Sequence, residues 1–242
     1  MKKMIIVATY NEKDNITNIL AEIYKNVPDV HVLVIDDNSP DKTYEIVEQL
    51  AKEKYPNQLF LMRRSGKLGL GTAYVAGFKW GLERDYEAIG QMDADFSHNP
   101  KYLPEMFNTL NNYDVAIGSR YVKGGGIINW GLKRKIISRG GSLYSKIILG
   151  LPLNDLTGGF KCWRREVLAT IGIDNLMSTG FCFQIETTYK AFINGFRIKE
   201  VPIIFEDRIF GQSKMSGGIF KEALITVWKL RLNKNSFLRI KK

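Results

Sequence analysis

The stretch HVLVIDDNSPD, residues 31–41, decides how the chain folds. His31–Asp36 is a short, β-branched apolar run of the kind that forms a buried strand, and it stops at acidic and turn-forming residues. Just beyond, Ser39 suits a helix N-cap and Pro40 a first helical turn, with Ile46, Val47 and Leu50 set to face inward. A buried strand that ends in polar residues and passes directly into a helix is the repeating unit of a parallel sheet.

The same unit recurs on either side. Met4–Thr9 (MIIVAT), Leu59–Met62 (LFLM), Ala88–Met92 (AIGQM) and Asp114–Gly118 (DVAIG) are further candidate strands, and Ile16, Ile19, Leu20, Ile23 and Val27 repeat at helical spacing between the first two strands. The alternation over the first 120 residues predicts an α/β fold, a mostly parallel sheet with helices on both faces. The second half departs from it. A glycine-rich segment KGGGIINWG (123–131) precedes a basic helix candidate over 132–149, then NDLTGGFKCWRRE (154–166), a helix around Phe183–Asn194, the strand-like FRIKEVPIIF (196–205) and a last helix from about Gly218 to Leu232. No Pro-, Ser- or charge-rich linker divides the chain, so the expectation is one domain whose second half closes over the sheet and supplies an acceptor site.

Of the 242 residues, 45% are apolar and 25% charged, which is ordinary globular usage with ample material for a core. The net charge of +10 favours anionic partners: nucleic acid, anionic lipid headgroups or phosphorylated small molecules. Much of the excess falls in KRKIISRGGSLYSK (133–146) and in KEALITVWKLRLNKNSFLRIKK (221–242). Two cysteines, Cys162 and Cys182, without a CxxC spacing or a His cluster, support neither a disulfide framework nor a zinc site. The apolar stretch at the N-terminus is too short for a signal peptide, and no run approaches the ~18–20 apolar residues that span a bilayer, so a cytoplasmic location without a spanning helix is expected.

Ligands of a parallel sheet bind outside the carboxyl ends of its strands. TYNE follows the first strand, DDNSPD the second and DADFSH the fourth, so three strands aim polar groups at one crevice. Asp93 and Asp95 flank Ala94 and project to the same side of an extended backbone. Two close carboxylates ionise together only with a cation between them; otherwise they share a proton. Three arrangements answer this: a divalent metal, with Ser97 or His98 adding a contact; a capped turn in which Asp95 bonds amides ahead of Pro100; and a proton-sharing dyad. In DDNSPD, one of Asp36 and Asp37 serves the turn while the other suits a nucleobase edge. SGKLGLGTA (65–73) reads equally as a phosphate-cradling loop, without the Walker pattern, and as an ordinary glycine-rich loop.

Taken in order, ATYNE (8–12), VIDDNSPD (34–41), GKLGLGTA (66–73), MDADFSHNP (92–100), GSRYVKGG (118–125), DLTGGFKCWRRE (155–166) and EDRIFGQSKM (206–215) resemble the dolichyl-phosphate mannose synthases, inverting glycosyltransferases with a Rossmann-like GT-A fold. The likeness covers residues 4 to about 217, which sets a single GT-A catalytic domain at 1–217 and leaves a basic amphipathic C-terminal helix or tail at 218–242. It implies transfer of mannose from GDP-mannose to the phosphate of a dolichol or polyprenol, with Mg²⁺ or Mn²⁺, inversion to a β-linked product, and release of GDP. The nearest variant within the fold is an enzyme that uses a UDP-sugar on a polyprenyl phosphate or another lipid or cell-wall acceptor.

Carried over by position, Ala8, Tyr10, Glu12, Ile35 and Asp37 would hold the guanosine, with Lys67 also on the nucleotide-sugar. Asp93, Ala94 and Asp95 would hold the diphosphate and its metal, and Ser97 stands at a third metal-side position where some relatives have glutamine. Arg120, Arg208 and Lys214 would grip phosphates, with Asp95, Arg120 and Arg208 as the catalytic set, and Arg120, Arg134 and Ser138 would face the lipid phosphate. Ala8 stands where proline is common. A phosphate monoester is mostly dianionic at neutral pH, so the implied nucleophile needs no general base, and His98 is read as a turn residue. The segments 130–151 and 218–242, where basic residues mix with Ile136, Ile137, Leu143, Ile147, Ile148 and Leu149, and with Phe220, Leu224, Val227, Trp228 and Leu232, suit peripheral attachment to the cytoplasmic face of a membrane. Some relatives use a separate membrane-spanning subunit, which makes a small subunit of that kind a candidate partner. Nucleic acid is not expected, because the basic residues do not interleave with a recognised nucleic-acid motif.

Overall fold

The computed structural model describes residues 1–180, 182–207 and 217–239, and for 217–223 the backbone alone. Its frame is a seven-stranded sheet of β1 (Lys3–Thr9), β2 (His31–Asp36), β3 (Leu59–Arg63), β4 (Ala88–Asp93), β5 (Val115–Ser119), β7 (Lys161–Arg164) and β8 (Ile198–Pro202). The order across the sheet is β3-β2-β1-β4-β7-β5-β8. All strands are parallel except β7, which runs antiparallel between β4 and β5. Two short strands, β6 (Gly126–Ile128) and β9 (Ile204–Glu206), pair separately.

The period-2 pattern of the sequence becomes two cores. Met4 and Ile6 of β1 join one apolar cluster, while Ile5 and Val7 join the other. Helices α1 (Lys13–Asn26), α2 (Thr43–Glu53) and α4 (Leu103–Thr109) cover the second face. On the first face lie α3 (Leu70–Leu82), α6 (Arg165–Thr170) and α7 (Phe183–Ile193), with parts of α5 (Leu132–Leu149) and α8 (Gly217–Leu232). Two glycines let α3 rest directly on β1: a Cβ at Gly77 would come within 2.7 Å of Ile6 Cδ1, and one at Gly81 within 2.6 Å of Met4 Sδ.

The α/β reading holds, with four differences of detail. Helix α2 starts at Thr43 rather than at Ser39, because Asp36 takes both the amide and the hydroxyl of Ser39 and Asp41 accepts the amide of Thr43 at 3.0 Å. The end of SGKLGLGTA is the first turn of α3. FRIKEVPIIF holds two strands in two sheets, β8 beside β5 and β9 beside β6, divided after Pro202. The second half does not merely close over the sheet, since β7 and β8 belong to it.

Candidate active site

Ala8 of β1 pairs with Ile35 of β2 on one side and with Asp93 of β4 on the other. The chain runs from β1 out to β2 and β3, then crosses back to place β4 on β1's opposite edge. That reversal opens a crevice beyond the carboxyl ends of β1 and β4, where open α/β sheets bind their ligands. Three of the residues singled out in the sequence therefore stand level at its floor.

On the β2 side the two adjacent aspartates divide their work. Asp36 is fully buried and accepts from Thr9 Oγ1 (2.8 Å), the Ser39 amide (2.8 Å) and Ser39 Oγ (2.6 Å), so it is the turn residue. Asp37 accepts from Arg64 Nε at 2.6 Å, and the same guanidinium bonds Thr72 Oγ1 (2.7 Å) and the Gly69 carbonyl (3.3 Å). Arg64, which the sequence reading missed, thus ties the glycine-rich entry of α3 to the end of β2. Lys67 from the same loop places its Nζ 5.0 Å from the centre of the Tyr10 ring. Glu12 accepts from Asn15 Nδ2 at 2.9 Å, and its amide is capped at 3.0 Å by Oγ1 of Thr43, the first residue of α2. The structure therefore brings Tyr10, Glu12, Asp37 and Lys67 to one rim.

At the end of β4, the Tyr74 hydroxyl donates to the Met92 carbonyl at 3.0 Å and lies 3.3 Å from Asp93 Oδ1. Burial first, then the nearby Asp93 charge, pushes that phenol well above its usual range. His98 is buried, and its Nδ1 accepts the Asp93 amide at 2.9 Å. Burial holds the imidazole below its ordinary pKa, although Asp93 and Asp95 pull the other way. An imidazole that accepts at Nδ1 is neutral with its proton on Nε2, so His98 fixes the turn, as the sequence suggested. Asp95 Oδ1 accepts the Ser97 amide (3.1 Å) and hydroxyl (2.6 Å) across Phe96, whose φ of 63° is left-handed. The capped turn is therefore present, and Ser97 meets Asp95 as a donor.

The cation reading of the pair can be tested on the donor set. Among the described residues no group of three or more His, Cys, Asp or Glu side chains is placed to hold a metal ion. Mg²⁺ commonly takes one or two protein carboxylates and leaves its other positions to water and substrate phosphates. Asp93 and Asp95, two carboxylates at the end of β4, fit a cation shared with a diphosphate, and do not fit one whose ligands all come from the described protein side chains.

Across the crevice, Arg120 follows β5 and is buried, with Nε and Nη2 each 2.6 Å from the Asp155 carboxylate and Nη2 2.8 Å from Thr157 Oγ1. Burial disfavours charge on both partners, but the mutual attraction and this two-pronged bond prevail, and Asp155 is held below the usual carboxylate range. Nε and Nη2 are thus engaged by Asp155 and Thr157, which fixes the orientation of the Arg120 guanidinium. Glu200 of β8 steadies the assembly. It accepts from Ser119 Oγ (2.7 Å) and the Asp155 amide (2.9 Å) through Oε1, and from the Asn154 amide (2.9 Å) and Nδ2 (3.1 Å) through Oε2.

The β6–β9 pairing draws Asp207 to α5, where it accepts from Arg134 Nη1 at 2.7 Å. The Arg134 guanidinium lies 4.0 Å from the centre of the Trp130 ring, and Tyr121 donates its hydroxyl to Ser138 Oγ at 2.8 Å. Arg120 in turn lies 5.1 Å from the Tyr121 ring and 5.5 Å from the Trp130 ring, so Arg120, Arg134 and Ser138 share one neighbourhood. Aromatic contacts join it to the carboxylates: the His98 ring meets Phe205 at 5.5 Å, and Phe205 meets Trp130 at 5.2 Å. Arg208 and Lys214 lie outside the described residues. Asp155, Glu200 and Trp130 escaped the sequence reading because only the topology joins them. The one local signal was Asp155 at the head of DLTGG, a buried acid in need of a cation.

Comparison with known proteins bears on this geometry. Residues 4–172 match the family model for Glycosyl transferase family 2. Polyprenol monophosphomannose synthase of Mycolicibacterium smegmatis is 43% identical over 233 residues, 95% of this chain and 88% of that protein. Undecaprenyl-phosphate mannosyltransferase of Micrococcus luteus is 44% identical over 227 residues, 94% of this chain and 93% of that protein. Among solved structures, a mannosyltransferase from Pyrobaculum calidifontis in complex with GDP-Man and Mn²⁺ shares the fold at a TM-score of 0.62 and 18% identity, covering 100% of this chain and 65% of that one. The family match spans the strands that build the crevice, and the chain belongs to glycosyl transferase family 2: it is a glycosyltransferase with the GT-A fold.

Proposed function

We propose that the protein transfers mannose from GDP-mannose to the phosphate of a polyprenol, with inversion, yielding a β-linked polyprenyl phosphate mannose and GDP. The observation that carries this reading is the Asp93–Asp95 pair at the end of β4, level with Ala8 and Ile35 at the switch point. Two close relatives named for mannose transfer to polyprenyl phosphates supply the donor sugar and the acceptor class.

Asp93 and Asp95 would hold Mg²⁺ or Mn²⁺, which when bound offsets the charge that gathers on a departing diphosphate. The chain's own groups do the rest. Tyr10, Glu12, Asp37 and Lys67 form the rim for the nucleoside, His98 and Tyr74 fix the Asp93 end of β4, and Ser97 orients Asp95. The acceptor phosphate, with a second pKa near ~6, arrives as a dianion, so a neutral His98 is no obstacle. Arg134 and Ser138 meet it from α5, while Arg120, held by Asp155, anchors the DLTGG loop beside it. Arg208 and Lys214 retain the phosphate-gripping roles that the resemblance gives them.

A lipid-linked acceptor calls for a membrane surface. The outward side of α5 exposes Leu132, Ile136, Leu143 and Ile147, and α8 exposes Ile225, Trp228 and Leu232. Lys133, Arg139, Lys146 and Lys229 edge these stripes. The two helices touch, with Tyr144 donating to the Leu224 carbonyl at 3.2 Å, so their stripes belong to one amphipathic, cationic surface. Val227 and Leu149, counted in the sequence among the apolar residues of the attachment segments, turn inward, and Phe220 lies among side chains that are not described. Among the described residues no helix is long and apolar enough to cross a membrane. The exposed stripes of α5 and α8 support peripheral attachment, at the cytoplasmic face in this reading, with a small spanning subunit as the other anchor.

The test is a transfer assay with purified protein, Mn²⁺ or Mg²⁺, a short polyprenyl phosphate, and labelled GDP-mannose against UDP-glucose. Transfer from GDP-mannose, abolished by chelation and by Asp95→Ala, is expected. Transfer from UDP-glucose alone would overturn the donor, full activity in Asp95→Ala would overturn the metal assignment, and an α-linked product would overturn inversion.

A further inference from the structure

Two tryptophans are buried among the described residues, and their indole nitrogens are treated differently. Trp163 donates Nε1–H to Gln91 Oε1 at 3.1 Å. Among the described residues, Trp130 Nε1 is shielded from solvent and has no acceptor, and Arg134 Nε is in the same condition. The two are neighbours, because the Arg134 guanidinium lies over the Trp130 ring. A buried donor without a partner is disfavoured, and native structures leave one open where a ligand or water completes it.

The surroundings narrow what that ligand is. Two guanidinium groups flank the indole, Arg134 at 4.0 Å and Arg120 at 5.5 Å, so the position attracts an anion. The carboxylates paired with them leave these two donors unmet: Asp155 bonds Arg120, and Asp207 meets Arg134 at Nη1 and not at Nε. One turn along α5, Ser138 accepts from Tyr121 and so keeps its own proton to donate. The nucleoside rim of Tyr10, Asp37 and Lys67 lies at the β1 and β2 ends, whereas Trp130 sits at the head of α5, the helix that carries the exposed apolar stripe. An oxyanion carried on an apolar chain suits this place better than a free nucleotide does.

We propose that Trp130 is a substrate-binding residue: its indole N–H and the Nε–H of Arg134 together hold the phosphate of the lipid acceptor. This rests on the polyprenyl-phosphate reading above and adds to it a neutral, non-titrating donor beside the arginine. The indole points the nucleophile without adding charge that would strengthen its hold on the dianion at the expense of reactivity. Arg134 reaches solvent with about a quarter of its side chain, 27% exposed, so an anion approaches from the α5 side.

The test uses the full chain labelled with ¹⁵N, whose four tryptophans give four indole signals, with Trp130→Phe to assign the one in question. Farnesyl phosphate should shift the Trp130 indole signal, farnesol and GDP should not, and inorganic phosphate should do so only at much higher concentration. In the transfer assay, Trp130→Phe keeps an aromatic ring but removes the N–H; it should raise the acceptor KM about tenfold, the effect of one hydrogen bond to a charged group, with the GDP-mannose KM unchanged and Tm lowered by the lost packing. No shift with farnesyl phosphate, a shift with GDP alone, equal potency of inorganic phosphate, or an unaltered acceptor KM in Trp130→Phe would overturn the assignment. A wild-type protein whose signal shifts but which transfers no mannose would leave this site standing and overturn the proposed reaction instead.

Discussion

Lys161 is fully buried beneath the DLTGG loop, with Nζ bonded to the Gln184 carbonyl at 2.7 Å and to Thr188 Oγ1 at 2.9 Å. Burial lowers its pKa to about 7, with Asp155 pulling the other way. A neutral amine has two hydrogens, and two acceptors are present. In the unfolded chain a lysine titrates near ~10.4, so between about pH 7 and that value the unfolded state binds more protons and stability rises with pH. Below pH 7 both states carry the proton and the buried charge costs most. Denaturant unfolding from pH 7 to 9 should therefore show stability climbing by up to about 1.4 kcal/mol per pH unit, and Lys161→Met should flatten the climb. An equal slope in the variant would show that another group is responsible. Nothing in FKCW told that this lysine points inward, because that depends on its register opposite Gln91 and Ile117. The division of labour between Asp36 and Asp37 was similarly open. The sequence showed one residue too many for the turn, and only the partners, Ser39 and Thr9 against Arg64, decided which.

Helices were more legible as spans than as faces. The 132–149 helix is where the sequence put it, since Gly131 and Gly150 bracket it and Gly150 adopts a left-handed φ of 67°. Its apolar residues, however, serve two sides: Leu149 enters the core while Leu132, Ile136, Leu143 and Ile147 face outward. Adjacent helical residues point about 100° apart, so Val227 and Trp228 could not both lie at the centre of one face; Val227 is buried and Trp228 is 51% exposed. If α5 and α8 form the membrane surface, the wild-type protein should float with anionic vesicles, weakly at high salt. Ile136→Glu with Ile147→Glu, or Trp228→Glu with Leu232→Glu, should abolish flotation with little change in Tm, because every one of these side chains is exposed. Undiminished flotation in both double variants would place the attachment elsewhere. β7 had no usable signal at all, being four residues long and buried at three of them.

Over the whole molecule, the parallel flank β3-β2-β1-β4 could be read from strand–helix alternation, whereas the far side of the sheet could not, because an antiparallel strand from late in the chain interrupts it. The crevice was legible in proportion: its β1, β2 and β4 corners came from motifs, and its Arg120–Asp155–Glu200 side from long-range pairing. If ligand binding spans this crevice, GDP with Mn²⁺ at about a hundred times its Kd should add about 2.7 kcal/mol to stability and raise Tm by roughly 5–10 °C for a chain of this size. Chelation should remove most of that shift, and an unchanged shift in EDTA would mean that the nucleotide binds without a cation.

The place of β7 also bears on how the protein is made. β4 and β5 follow one another in the chain yet never pair, because the slot between them waits for residues 161–164. As synthesis proceeds from the N-terminus, β1 to β4 can assemble while the outer edge of β4 stays unpaired and β5 has no neighbour to join. A ribosome that stops before Lys161 therefore releases a chain with a bare, apolar strand edge, the kind of template on which other chains aggregate. The side of the crevice built by β1, β2 and β4 is complete early in translation, and the Arg120–Asp155–Glu200 side only after the chain has returned to the middle of its own sheet.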